Sequence, residues 1–199
     1  MLNLARLRQP AANYLTRPVV RWLARLAVTP DALTWLGFLI TVGAALLIVS
    51  GRLVLAGVMV LVAGYFDILD GARARHTGRV SRFGGVLDSV LDRLSEGALL
   101  VGLLLFYARQ LSVLMVVLAG LALLGSLLVS YIRARAEAAG LECRVGAFTR
   151  TERVVVLVLG LWLSQLSYAL TAALAIIVVA SFITAGQRLV CVWQQTREG

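Results

Sequence analysis

The chain has 199 residues, 60% hydrophobic and 15% charged, with a mean hydropathy of +0.90, a composition that excludes a soluble globular domain. At about 20 residues per spanning helix, the length admits roughly six spans and no separate soluble domain. All 19 basic residues are Arg, against 10 acidic ones, so a net charge of +9 has to gather at one membrane face.

Residues 1–28 scatter five Arg among apolar side chains. They lack the ordered regions of a signal peptide, so the segment is expected to be retained. Over residues 16–28, Arg17, Arg21 and Arg25 recur at helical spacing opposite Val19, Val20, Trp22, Leu23 and Leu26, and Pro18 suits a helix start. This predicts an amphipathic helix on the membrane surface, its Arg face toward anionic headgroups. Six apolar stretches follow, at 33–50, 53–69, 86–107, 111–132, 154–166 and 168–186, the fifth of them short. The expected fold is an all-α integral membrane protein, six transmembrane helices preceded by a cytoplasmic amphipathic helix. Its parts are a juxtamembrane segment 1–28, a six-helix domain 29–193 and a tail 194–199.

The connections set the orientation. With the N-terminus inside and six spans, seventeen Arg fall on inner segments and only Arg52 and Arg109 on outer ones, and Arg favours the cytoplasmic side of short loops. All ten acidic residues fall in or near the inner half under the same topology. Both termini, and whatever chemistry the chain performs, are therefore expected at the cytoplasmic face. Cys143 and Cys191 lie in or beside Arg-rich segments, which predicts ordinary reduced thiols. No nucleic-acid partner is expected.

Four of the five Asp stand between residues 67 and 92. Asp67 and Asp70 are three apart, Asp88 and Asp92 four apart, so on helices each pair shares a face. Carboxylates this close at a membrane edge repel one another unless something positive lies between them. Oxygen donors suit Mg²⁺ or Mn²⁺, two ions being plausible for four carboxylates. Zinc is disfavoured by a single His, His76, and the lack of paired cysteines. The plainer alternative is a set of buried ion pairs with Arg73, Arg75, Arg82 and Arg93. Gly71 and Gly84 would let backbone approach a phosphate, and Arg75 and Ser81 could donate to it. Metals, Arg and small residues together describe a diphosphate site.

The run Asp-x2-Asp-Gly-x2-Ala-Arg-x8-Gly-x3-Asp-x3-Asp, complete from Asp67 to Asp92, resembles the signature of the CDP-alcohol phosphatidyltransferase family. The resemblance implies a six-helix enzyme of a prokaryotic plasma membrane, usually a homodimer, in which an alcohol displaces CMP from CDP-diacylglycerol. Carried over by position, Asp67 and Asp88 would bridge two metal ions, Asp70 would complete the first site, and Asp92 would join the second and act as catalytic base. Gly71, Arg75 and Ser81 would contact the CDP-lipid, while Asp31, Ala32, Leu33 and Thr34 would hold its cytidine end.

A second basic group bears on the acceptor. Arg133, Arg153 and Arg188 come from three predicted helix ends, and a convergent Arg pocket suits a phosphorylated alcohol better than a neutral one. Anchoring at the cytoplasmic interface is the plainer reading of each Arg. Glu152 is expected to partner an Arg, and Glu96, one turn beyond Asp92, to support it. The resemblance extends through Thr29-Pro30-Asp31, Arg82-Phe83-Gly84, Ser130-Tyr131-Ile132 and Gln187-Arg188-Leu189 to the branch of the family that uses inositol 1-phosphate. Arg133 stands where that branch has Lys, keeping the charge but changing reach and geometry. Glycerol 3-phosphate is the competing acceptor. A divalent cation transporter is the alternative from another class, but its acidic residues belong near the bilayer midplane on broken helices, away from Arg.

Overall fold

A computed structural model describes residues 30–77, 82–143, 145–146 and 148–198, of which 30, 68–77, 82 and 198 are described by backbone only. They form six α-helices: α1 Pro30–Val49, α2 Leu53–Thr77, α3 Arg82–Arg109, α4 Val113–Ala138, α5 Arg150–Trp162 and α6 Ala169–Glu198. No strand occurs among the described residues. The predicted amphipathic helix at 16–28 lies outside them.

Each of the six apolar stretches lies in or overlaps one helix. Three segments, Asp31–Val49, Val113–Ala138 and Ala169–Arg197, are long and apolar enough to cross a bilayer, and Leu53–Asp67 is a shorter apolar helix. The 13 residues of α5 extend only about 20 Å, less than the ~30 Å hydrocarbon thickness. Two helix ends run past the apolar stretches: α2 continues to Thr77 and α3 already begins at Arg82. Ala and Arg are good helix formers, so the backbone ladder persists where hydropathy fails. The Asp motif consequently rides on helices at both ends of a short connection.

The chain divides into two compact units, one of residues up to Thr41 with Met59–Ser95, the other of Val42–Val58 with the residues from Glu96 on. In the second, α4 and α5 both pack on α6. Small residues set the closeness: a Cβ on Gly125 would lie 3.0 Å from that of Ser181, and one on Gly160 only 2.6 Å from that of Ala173. Lipid tails supply no hydrophobic drive between helices, so close backbone approach of this kind is how membrane helices gain contact. Large apolar side chains such as Leu39, Leu46, Leu114 and Val179 point outward. Only 39% of the apolar window of α1 is buried inside the protein, and lipid is the environment that accepts the remainder. This is a membrane protein.

One expectation is corrected. Cys143 and Cys191 are not separate thiols but a disulfide, with Cα atoms 6.1 Å apart. After α4 the chain turns at Gly140, whose φ is +76°, and brings Glu142, Cys143, Val145 and Gly146 against α6. Gly146, with φ +97°, touches α6 so closely that a Cβ would sit 2.5 Å from Thr184 Cγ2. Gln195 Nε2 donates to the Glu142 carbonyl at 3.0 Å. Sequence spacing alone carries no sign of this return.

Candidate active site

In the first unit, α2 contributes Asp67 and α3 contributes Asp88 and Asp92, all half-buried. One carboxylate oxygen from each can be chosen so that all three lie within 4.8 Å of one another. The helical spacing of Asp88 and Asp92 puts both on one face of α3, and α2 brings Asp67 to it. At that separation each pair of charges repels by more than about 3 kcal/mol at an effective dielectric constant near 20. A hard divalent cation removes that repulsion, and the all-oxygen donor set fits Mg²⁺ or Mn²⁺.

The remaining motif residues are less fully placed. Asp70, Gly71 and Arg75 are in α2 but described by backbone only, and Ser81 lies outside the described residues. Of the four Arg proposed as ion-pair partners, Arg93 donates Nη1 to the Ser89 carbonyl on its own helix, not to a carboxylate. At the start of α1, Asp31 is half-buried and Ala32 exposed, whereas Leu33 and Thr34 are 2% and 8% exposed.

The three acceptor candidates belong to the second unit. Arg153, 1% exposed, donates Nε to Glu96 Oε1 at 2.5 Å and Nη2 to Glu96 Oε2 at 2.9 Å. Its Nη1 reaches the Phe148 carbonyl at 3.4 Å. Arg188, also buried, donates Nε to the Val145 carbonyl at 3.2 Å and Nη1 to the Val129 carbonyl at 2.7 Å. Arg133 is exposed and pairs with Glu137 one turn on, at 2.8 Å. The three stand on α4, α5 and α6, and the charges of Arg133 and Arg153 both act on Arg188.

Two acidic side chains have partners that the sequence reading did not name. Glu96 binds Arg153, 57 residues away in sequence. Glu152 closes a capping box at the start of α5, accepting the Thr149 backbone N–H at 2.8 Å. That box was legible as Thr149-x-x-Glu152 before an apolar run. The Glu96 pair was not, because nothing local encodes a contact at such separation.

The profile of the CDP-alcohol phosphatidyltransferase family matches residues 27–186. The chain belongs to this family. Among its members, the phosphatidylinositol phosphate synthase of Mycobacterium marinum is 40% identical over 194 residues, 94% of this chain and 83% of its own length. The archaetidylinositol phosphate synthase of Methanothermobacter thermautotrophicus is 39% identical over 188 residues, 91% of this chain and 94% of its own. A crystal structure of Mycobacterium tuberculosis phosphatidylinositol phosphate synthase with CDP-DAG bound superposes with a TM-score of 0.84 at 39% identity, covering 90% of this chain and 94% of that one. The same enzyme with manganese and citrate gives a TM-score of 0.82 at 40% identity, covering 89% and 88%. As a member of this family, the protein is a transferase of phospholipid biosynthesis.

Proposed function

We propose that the protein transfers the phosphatidyl group of CDP-diacylglycerol to inositol 1-phosphate, giving phosphatidylinositol phosphate and CMP. The gathering of Asp67, Asp88 and Asp92 within 4.8 Å, on an intact family motif, carries this reading. Two similar enzymes whose names differ in the lipid, phosphatidyl and archaetidyl, share the inositol phosphate product, which supports the acceptor. The donor is supported by the CDP-DAG held in the similar M. tuberculosis structure.

Asp67, Asp70, Asp88 and Asp92 would hold two Mg²⁺ ions, with Mn²⁺ accepted. When bound, the ions neutralise the diphosphate and stabilise the departing CMP. Arg75, Gly71 and Ser81 contact the CDP-lipid, and Asp31, Ala32, Leu33 and Thr34 its cytidine end. Asp92 takes the proton from the acceptor hydroxyl as that oxygen bonds to the phosphorus on the diacylglycerol side. The bond from this phosphorus to the CMP oxygen breaks, and CMP leaves with the electron pair. Arg133, Arg153 and Arg188 hold the acceptor phosphate.

The six helices are read as six spans after an amphipathic segment 1–28, residues 29–193 forming the catalytic domain and 194–199 a tail. Both termini and the site face the cytoplasm at a prokaryotic plasma membrane, as the Arg asymmetry supports, and the enzyme works as a homodimer. Purified protein with CDP-diacylglycerol and Mg²⁺ should release CMP fastest with inositol 1-phosphate, against glycerol 3-phosphate, inositol and serine. Preference for glycerol 3-phosphate would change the acceptor, and preference for a neutral alcohol would remove the phosphate pocket.

A further inference from the structure

Arg153 and Glu96 form the most deeply buried ion pair among the described residues, their side chains 2% and 5% exposed. Two ionised groups are costly to desolvate, and an apolar pair of similar volume would often be as stable. A purely structural role therefore explains their presence poorly, and the geometry of the contact suggests another use.

A guanidinium carries five N–H donors in a rigid plane. Glu96 takes one from Nε and one from Nη2, which are the side edge of that plane, and the Phe148 carbonyl takes one from Nη1. Among the described residues, two N–H groups of Arg153 are left, one on each terminal nitrogen. One N–H on each terminal nitrogen is the number of donors that a two-oxygen contact with a phosphate needs. The same count at Arg188 leaves three, because the Val145 and Val129 carbonyls take only two. The carboxylate thus grips the Nε–Nη2 edge of the plane, and the Phe148 carbonyl takes part of the Nη1 end. The helix start under Arg153 is fixed as well, since the Thr149 and Glu152 capping box precedes it by one residue.

We infer that Glu96 is a positioning residue for the acceptor phosphate: it sets the rotation of the Arg153 guanidinium so that its remaining Nη donors are presented to the anion that Arg188 also binds. The inference rests on the acceptor reading above and adds a residue whose carboxylate never touches the anion it helps to bind. A neutral amide at the same place would leave a buried positive charge without its partner and free the plane to turn.

The test is steady-state CMP release by the purified full-length enzyme with CDP-diacylglycerol and Mg²⁺, using inositol 1-phosphate as the varied acceptor. Glu96→Gln should raise the acceptor KM by about tenfold or more, while kcat and the donor KM move by less than about twofold. Glu96→Asp, which keeps the charge, should recover part of the loss. Should Glu96→Gln fold poorly, the double variant Glu96→Gln with Arg153→Gln removes both buried charges and should show the same acceptor KM as Arg153→Gln alone, because Glu96 acts only through Arg153; a further rise overturns the inference. A normal acceptor KM in Glu96→Gln overturns the inference, and so does a parallel loss in kcat and donor KM. Arg153→Gln and Arg188→Gln tell which reading has failed. If neither raises the acceptor KM, the acceptor pocket is wrong. If both raise it and Glu96→Gln does not, only the positioning role is wrong.

Discussion

Asp92 has two demands on one carboxylate, since it lies within the acidic cluster and is the proposed base. Exchanging it for Asn keeps the size and one oxygen donor but removes the proton acceptor. Asp92→Asn should therefore cut CMP release by about 10²-fold to 10⁴-fold while leaving CDP-diacylglycerol binding largely intact; turnover like that of the wild type would take Asp92 out of the base role. The pairing of Asp88 with Asp92 was legible because its information is local: a four-residue spacing on a helix fixes which carboxylates share a face. Arg153 is the opposite case. Its sequence neighbours suggested an interfacial cation, and only tertiary packing shows it 1% exposed against Glu96. Removing one member of such a pair typically costs about 3–5 kcal/mol, which is why a double variant without either charge stands beside Glu96→Gln.

The helix ends repeat one solution at the level of the element. After α1, α3 and α4 the chain closes with paired backbone bonds: Arg52 to Leu47 with Gly51 to Ile48, Ser112 to Tyr107 with Leu111 to Ala108, and Leu141 to Ala136 with Gly140 to Glu137. This is the Schellman arrangement, which needs a left-handed residue just past the helix. Gly51 and Gly140 fill that place without cost, whereas Leu111 holds φ 55° against its Cβ. Its side chain is 88% exposed, so little packing is lost on removal. Leu111→Gly should stabilise the protein by up to about 1 kcal/mol, seen as a higher Tm in detergent; a lower Tm would show that the side chain is held by something outside the chain. Hydropathy located the helices well but misjudged where α2 ends and α3 begins. Helix formation follows backbone propensity, and the charged motif lowers hydropathy without lowering that propensity.

Under the six-span reading, seventeen of nineteen Arg fall on one side, which makes orientation a property of the whole molecule. In a background with both natural cysteines replaced by Ser, Arg52→Cys should react with an impermeant maleimide in intact cells. Arg135→Cys should react only after permeabilisation, and the reverse pattern would invert the topology. The overall class was legible because it depends on composition summed over the chain. The return of the segment around Cys143 onto α6 depends on partners 48 residues apart and left no such sum to read. That return has a consequence for α5. The Cys143–Cys191 bond closes a covalent ring containing all of α5 and most of α6, and closing a loop of this length removes about 4 kcal/mol of freedom from the unfolded chain. A helix of 13 residues is too short to hold a place across the hydrocarbon by its own hydropathy. Inside the ring it does not have to, because the long helix beside it acts as its tether.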